Sequence, residues 1–330
     1  MENDLDDENR RLKQSWQELD REYLDSYLVS GEEDPRINCQ SILTRSLIAD
    51  TLWPGEFDEL IDGEMRFGAV LNWMLKRLED EDFAEPRELL PELPIEGACP
   101  DPVRETFLWL QSENCPVPDY MSLALSYEDP GQPLPDVALD VFCGLWRTAL
   151  EEKEADEKVS VLEAACGSAN DYRGIRACGL SPFIDYAGFD IAPKNVANAR
   201  SRFPEVEFFE DSILDCSVED EAYEYFFAHD LYEHLSPEAM ETALRETVRV
   251  TEREAWLHFF NAEDRPDHDV QPVEDYHINL LSIPRLVDSL EGLGTQVEVI
   301  SIPELLEAKF GLGESYHNQQ AVTLLVKKGT

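Results

Sequence analysis

The sequence predicts a helical N-terminal part followed by an α/β part built on a mostly parallel seven-stranded sheet, with the last strand antiparallel. Three observations carry this reading. Apolar residues recur at helical spacing before about residue 155. After it, β-branched runs alternate with single amphipathic helices, a grammar that implies right-handed crossovers and parallel strands. The last two strand-like runs are joined by about twenty residues containing Gly311 and Gly313, a connection that lets the final strand turn back.

In the first part, Leu12, Trp16, Leu19, Tyr23 and Tyr27 step by four, three, four and four and share one helix face. Ile42, Leu43, Leu47 and Ile48 mark a second helix. Leu60 to Leu78 marks a longer third one. Half of the 20 prolines fall between Pro86 and Pro135 and cut that stretch into short segments. Val137 to Leu150 reads as a further helix, and the charged run Glu151 to Lys158 as a solvated connection. Residues 1–150 and 151–330 are thus the two expected domains. In the second, strands are expected at Val159–Glu163, Ile184–Phe189, Val206–Phe209, Tyr223–Ala228, Ala255–Phe260, Gln296–Ser301 and Gln320–Val326. Helices are expected at Pro193–Arg202 and Pro237–Val250.

Composition narrows the function. Of 330 residues, 43% are hydrophobic, enough for a real core. No apolar run approaches the ~20 residues of a membrane span, and the acidic, polar start shows no secretory signal, so a cytoplasmic protein without membrane contact is expected. Asp and Glu number 71 against 27 Lys and Arg, a net charge of −44. Such a surface repels phosphate backbones and argues against nucleic-acid partners, while leaving small neutral or cationic ligands welcome. Seven Cys, without a Cys-x-x-Cys pair, read as reduced, buried thiols. No cluster has metal-ligand spacing, so no metal is expected.

Chemistry concentrates at the carboxyl ends of the expected strands, where open α/β sheets bind ligands. Val161-Leu-Glu163-Ala-Ala165-Cys166-Gly167-Ser-Ala169-Asn170 is a strand, an acid, a small-residue run and a helix start. Small side chains let backbone approach a ligand closely, and an acid there suits a cationic group and repels a pyrophosphate. The second strand ends in Asp190-Ile191, 27 residues on, where a carboxylate can take both hydroxyls of a ribose. The third is followed by Asp211-Ser212-Ile213, an acid within reach of an adenine amino group. The fourth is followed by His229-Asp230-Leu-Tyr-Glu-His234-Leu235.

In this order of motifs the second part, about residues 156–328, resembles the class I S-adenosylmethionine-dependent methyltransferases. Glu163 and Gly167 match the family's acid and central glycine, and Ala165 and Ala169 stand where its outer glycines usually are. Alanine keeps the loop small but disfavours positive φ there. Asp190 matches the ribose acid and Asp211 the adenine-side acid. Asp230 to Leu235 resembles the stretch after the fourth strand in small-molecule methyltransferases, and Tyr276-His277 to Ser282, ahead of a helix Pro284–Leu290, resembles the segment before the sixth strand. The resemblance implies a Rossmann-like fold with S-adenosyl-L-methionine as cofactor, held by Glu163, Ala165, Cys166, Gly167, Arg173, Asp190, Ile191, Asp211, Ser212, Ile213 and Asp230. His234, Tyr276 and His277 are the candidates for acid–base catalysis, with His258 and Asn261 behind them. Taken singly, Asp190 also reads as a helix cap before Pro193, Asp211 as a turn residue, and the catalytic candidates as packing residues. A dinucleotide fits poorly, since the glycine after Gly167 comes only at Gly174.

The expected reaction is methyl transfer to an oxygen or nitrogen of a small molecule. A protein acceptor, or a cofactor-binding module without activity, is the alternative. The helical first part is expected to cap the acceptor site, with Tyr120–Tyr127 as a lid, or else to serve packing or a homodimer.

Overall fold

The computed structural model describes residues 2–17, 38–79, 137–154, 158–273 and 276–329, with Glu105, Leu108 and Ser112 as isolated positions. Among the described residues four helices precede the sheet: α1 (Glu2–Gln17), α2 (Cys39–Leu52), α3 (Asp58–Glu79) and α4 (Val137–Leu150). Then come β1 (Val159–Ala164), α5 (Asn170–Ala177), β2 (Ile184–Asp190), α6 (Pro193–Arg202), β3 (Glu207–Glu210), β4 (Tyr223–His229), α7 (Pro237–Val250) and β5 (Thr251–Phe259). The chain closes with α8 (Ile283–Gly292), β6 (Thr295–Ser301), α9 (Ile302–Phe310) and β7 (Val322–Lys328).

The seven strands form one sheet in the order β6-β7-β5-β4-β1-β2-β3. All neighbours are parallel except β7, which runs against both β5 and β6. The expected fold class is the observed one. One face is covered by α7 and α8, with Leu12 of α1 buried in the same cluster as Leu162, Phe226 and Leu257. On the other face Ile48 and Trp53 of the α2 region and Trp146 of α4 share a core with Val161, Ile175 and Phe227. Helices α1, α2 and α4 therefore pack directly on the sheet. Among the described residues no helix is long and apolar enough to cross a membrane.

Local sequence explains the helix starts. Asn38, Ser236, Ser282 and Ser301 are N-caps whose side chains accept backbone N–H groups of α2, α7, α8 and α9. The three serine caps each have a proline in the first turn, where its missing N–H costs nothing. Buried polar groups fasten α2. The Gln40 side-chain amide donates to the carbonyls of Phe259 and Val322, at 3.1 Å each. Arg45 donates to Glu64 of α3 at 2.7 Å, and the Trp146 indole of α4 donates to the other oxygen of Glu64 at 2.8 Å.

Two expectations need correction, and two others lie where nothing is described. The first helix is described only to Gln17, so Leu19, Tyr23 and Tyr27 lie outside the described residues, as does Tyr120–Tyr127. The connection between the last two strands is not plain loop: it contains α9, capped by Ser301 and ended by Gly311 at φ 67°. The fifth strand begins at Thr251, not Ala255, because Glu252 and Arg253 extend it into solvent with charged side chains.

Candidate functional site

The loop after β1 is the centre of the site. Ala165, Gly167 and Ala169 have φ of 53°, 52° and 68°. This overturns the expectation that alanine abandons the left-handed region: the loop keeps a glycine-like path at all three positions. Each alanine costs on the order of 1 kcal/mol in that conformation, a strain that the surrounding structure must hold. Asp190 holds it. Its carboxylate accepts from Gly167 N at 2.9 Å and from Ala192 N at 2.7 Å, which ties the loop to the start of α6. A Cβ built on Gly167 meets no atom within 4 Å, so the loop faces open space where a ligand can lie against backbone.

Glu163 is 3% exposed and accepts a hydrogen bond from the Tyr186 hydroxyl. Burial first, then the charges of Asp171 and Asp190, push its carboxyl well above the usual carboxylate range, against the lowering effect of Tyr186. Asp190 is also raised by burial, opposed by its bonds to Ala192, Gly167 and Asn195. Asp230 is open to solvent yet walled by the chain, and that enclosure raises its carboxyl too, with Asp171 adding to the shift and His229 and His234 opposing it. Asp230 adopts φ 51°, a strained tip at the end of β4. Asp171 and Asp190 both raise Glu163, and Asp171 also raises Asp230, so a cation placed among these side chains would be stabilised.

The remaining expected cofactor residues divide. Cys166 is buried, and its Cβ and Sγ pack against Gly188, where a methyl group would come within 3.0 Å. Ile191 packs against the core below. Arg173 lies in α5, within two residues of Asp171. Asp211 spends its carboxylate on its own loop: it accepts from Ser212 N at 2.8 Å, Ser217 N at 2.9 Å and Ser217 Oγ at 2.7 Å. That geometry is the turn role. Ser212 Oγ donates to Asn9 of α1 at 2.7 Å, and Ile213 is buried in the cluster that holds Leu12. Glu8 of α1, 7% exposed, accepts from the backbone N and the hydroxyl of Ser236. Helix α1 therefore spans from the β3 loop to the start of α7.

His234 meets Tyr276 and His277, 42 and 43 residues further along the sequence, beside the β4 loop. His234 Nδ1 lies 3.0 Å from the His277 carbonyl oxygen, and the His234 ring packs against Phe260 and Tyr276, with centroids at 5.6 and 5.9 Å. Asn279, 1% exposed, donates to the Leu235 carbonyl at 2.7 Å and closes the loop from below. Asn261 donates to the Asn279 carbonyl at 2.8 Å, a structural duty.

Sequence reasoning missed two features. His229 and His258 stack at the ends of β4 and β5 with centroids 4.0 Å apart, and Thr44 of α2 bridges their Nε2 atoms at 3.1 and 2.8 Å. His258 is fully buried, its pKa held well below normal by burial and then by His229. His229 Nε2 stands 3.8 Å from Asp171. The signal was Gln40 and Thr44, four residues apart on one face of α2. The second is Glu233, 0% exposed: one oxygen accepts from Phe260 N at 2.8 Å, while Oε2 is buried without a partner among the described residues. Burial, then Asp230, raises its carboxyl to about 8.

Comparison with known proteins gives the site its context. Residues 161–254 match the family model described as a methyltransferase domain. No curated protein matches the sequence. Among solved structures, an S-adenosylmethionine-dependent methyltransferase from Mesorhizobium loti is similar at 12% identity and a TM-score of 0.41, covering 52% of this chain and 92% of that one. A SAM-dependent methyltransferase from Aquifex aeolicus is similar at 16% identity and TM-score 0.38, covering 56% and 89%. The cyclase SpnF is similar at 16% identity and TM-score 0.40, covering 58% and 82%. The matched family model spans β1 to the start of β5, the strands whose tips carry the acids, on a sheet reversed only at β7. The C-terminal half of the chain thus carries, over residues 161–254, a match to a methyltransferase domain.

Proposed function

We propose that the chain is an active methyltransferase whose acceptor is an oxygen or nitrogen nucleophile on a small molecule. The observation that carries this is the tautomer of His234. A carbonyl oxygen can only accept, so the 3.0 Å contact with His277 requires the proton on Nδ1. Neutral His234 then carries its lone pair on Nε2, the form a general base needs, in a ring fixed by Phe260 and Tyr276.

When bound, the cofactor supplies an electrophilic methyl group on a sulfonium. The chain's own residues supply placement. Asp190 keeps the Ala165–Ala169 loop in its ligand-facing path and offers its remaining lone pairs to the ribose hydroxyls. Glu163, Asp171 and Asp230 draw the cationic end of the cofactor into the cleft. Arg173 takes its carboxylate, and Ser212 and Ile213 flank the adenine under α1. His234 accepts the acceptor's proton as the nucleophile advances, with Tyr276 and His277 fixing the ring. Placement accounts for most of the rate, because a held near-attack geometry is worth several kcal/mol. The helices before residue 150 act as the cap that encloses the acceptor.

His234→Ala tests the base. Turnover with an identified acceptor is expected to fall about 10²-fold or more, while cofactor affinity stays within about twofold. Unchanged turnover removes His234 from the role.

A further inference from the structure

The methyltransferase reading leaves one buried cluster unused. Cys143 of α4 and Cys178, the C-cap of α5, place their sulfurs 3.1 Å apart, both side chains fully buried. That is about 1 Å longer than a disulfide bond. The two are 35 residues apart in sequence and belong to helices on either side of the charged connection 151–158. Beside them sits the buried guanidinium of Arg45, which pairs with Glu64 through Nη2 while its Nε has no hydrogen-bond partner among the described residues. Its positive charge lies close enough to Cys143 to offset part of the burial that keeps that thiol protonated.

We propose that Cys143 and Cys178 are an oxidative modification site, a thiol pair that exchanges with a small-molecule disulfide such as glutathione disulfide to link α4 covalently to the end of α5. One cysteine thiolate attacks a sulfur of glutathione disulfide, releases one glutathione thiolate and leaves a mixed disulfide. The second cysteine thiolate attacks the protein sulfur of that intermediate, forming the Cys143–Cys178 bond and releasing the second glutathione. The two cysteines lose two electrons and two protons, and glutathione disulfide gains them. The contact with Cys178, then burial, keep the Cys143 thiol protonated, so exchange waits on the local lifting of α4 and is slow. Once formed, the bond fastens the helical layer to α5, the helix that follows the cofactor loop.

The test equilibrates the full-length chain in glutathione buffers from fully reducing to fully oxidising. It is repeated in denaturant just below the unfolding midpoint, where α4 opens readily. Samples are acid-quenched, unfolded, alkylated and mapped by mass spectrometry. Two of the seven thiols should disappear together, in a Cys143–Cys178 peptide that dithiothreitol reverses. The oxidised chain should melt a few degrees higher, a shift absent from Cys143→Ser and from Cys178→Ser. Seven alkylated thiols under every condition, a bond to another cysteine, or an unchanged two-thiol loss in either variant overturns the proposal.

Discussion

Ala165 and Ala169 show how much a single side chain reveals. Their small size was legible as room for a ligand, and that role stands in the loop geometry. Their conformation was not legible, because positive φ in alanine depends on what the rest of the fold can enforce. Asp190 enforces it through two backbone hydrogen bonds that no local spacing announces. The half-buried position offers a test. Ala165→Gly removes the left-handed strain, and this gain exceeds the added freedom of the unfolded chain. Stability should rise by about 0.5 kcal/mol, read from the urea midpoint at constant slope. Ala165→Val should move the midpoint the other way. The same limit applies to Asp211. Its position at the tip of β3 was legible, but its carboxylate is turned toward Ser217, and only the folded loop reveals that.

Elements were legible where periodicity was undiluted. The helices 193–202 and 237–250 fall where the apolar pattern and the Pro starts put them. Helix α9 was hidden in the connection ahead of Gly311 and Gly313, although Ser301 and Pro303 are a cap and a first-turn proline. The turn joining β4 to α7 carries a prediction of its own. It pins Glu233 under the end of β5 with its carboxyl raised to about 8, against an ordinary 4.5 in the unfolded chain. The folded state therefore binds this proton more tightly than the unfolded state. The associated stability is fully present below about pH 4.5 and is lost as pH rises through 8, on the order of 5 kcal/mol across that window. Glu233→Gln should flatten the stability profile between pH 5 and 8 relative to the parent. Parallel profiles in the two proteins would contradict a buried, protonated Glu233. Glu163 and Asp190 shift in the same direction, so only the difference between parent and variant isolates this group.

At the scale of the molecule, two properties act together. A net charge of −44 repels itself, and the repulsion is screened as ionic strength rises. The thermal midpoint should climb by several degrees between 0.1 and 2 M KCl, and a midpoint that falls would mean that specific ion pairs outweigh the net field. The same excess of acid gathers at the strand tips, where burial raises Glu163, Asp190 and Asp230 and the charge of Asp171 adds to the shift of Glu163 and Asp230. The parallel sheet and its final reversed strand were legible from the order of runs, because that order sets which strand tips are neighbours. The packing of α2 and α4 on the sheet was not, since it rests on Gln40, Thr44 and Trp146 reaching partners far away in sequence.

The central claim is that this cleft is shaped for a positively charged adenosyl ligand held through Asp190. Equilibrium dialysis of the full chain against labelled S-adenosylmethionine, beside Asp190→Ala, tests it most directly. The expected result is saturable binding of one cofactor per chain. The variant should bind about 30- to 100-fold more weakly, the loss of roughly 2–3 kcal/mol of charge-assisted hydrogen bonding. No retention of cofactor at millimolar concentration, or equal affinity in parent and variant, would contradict the account.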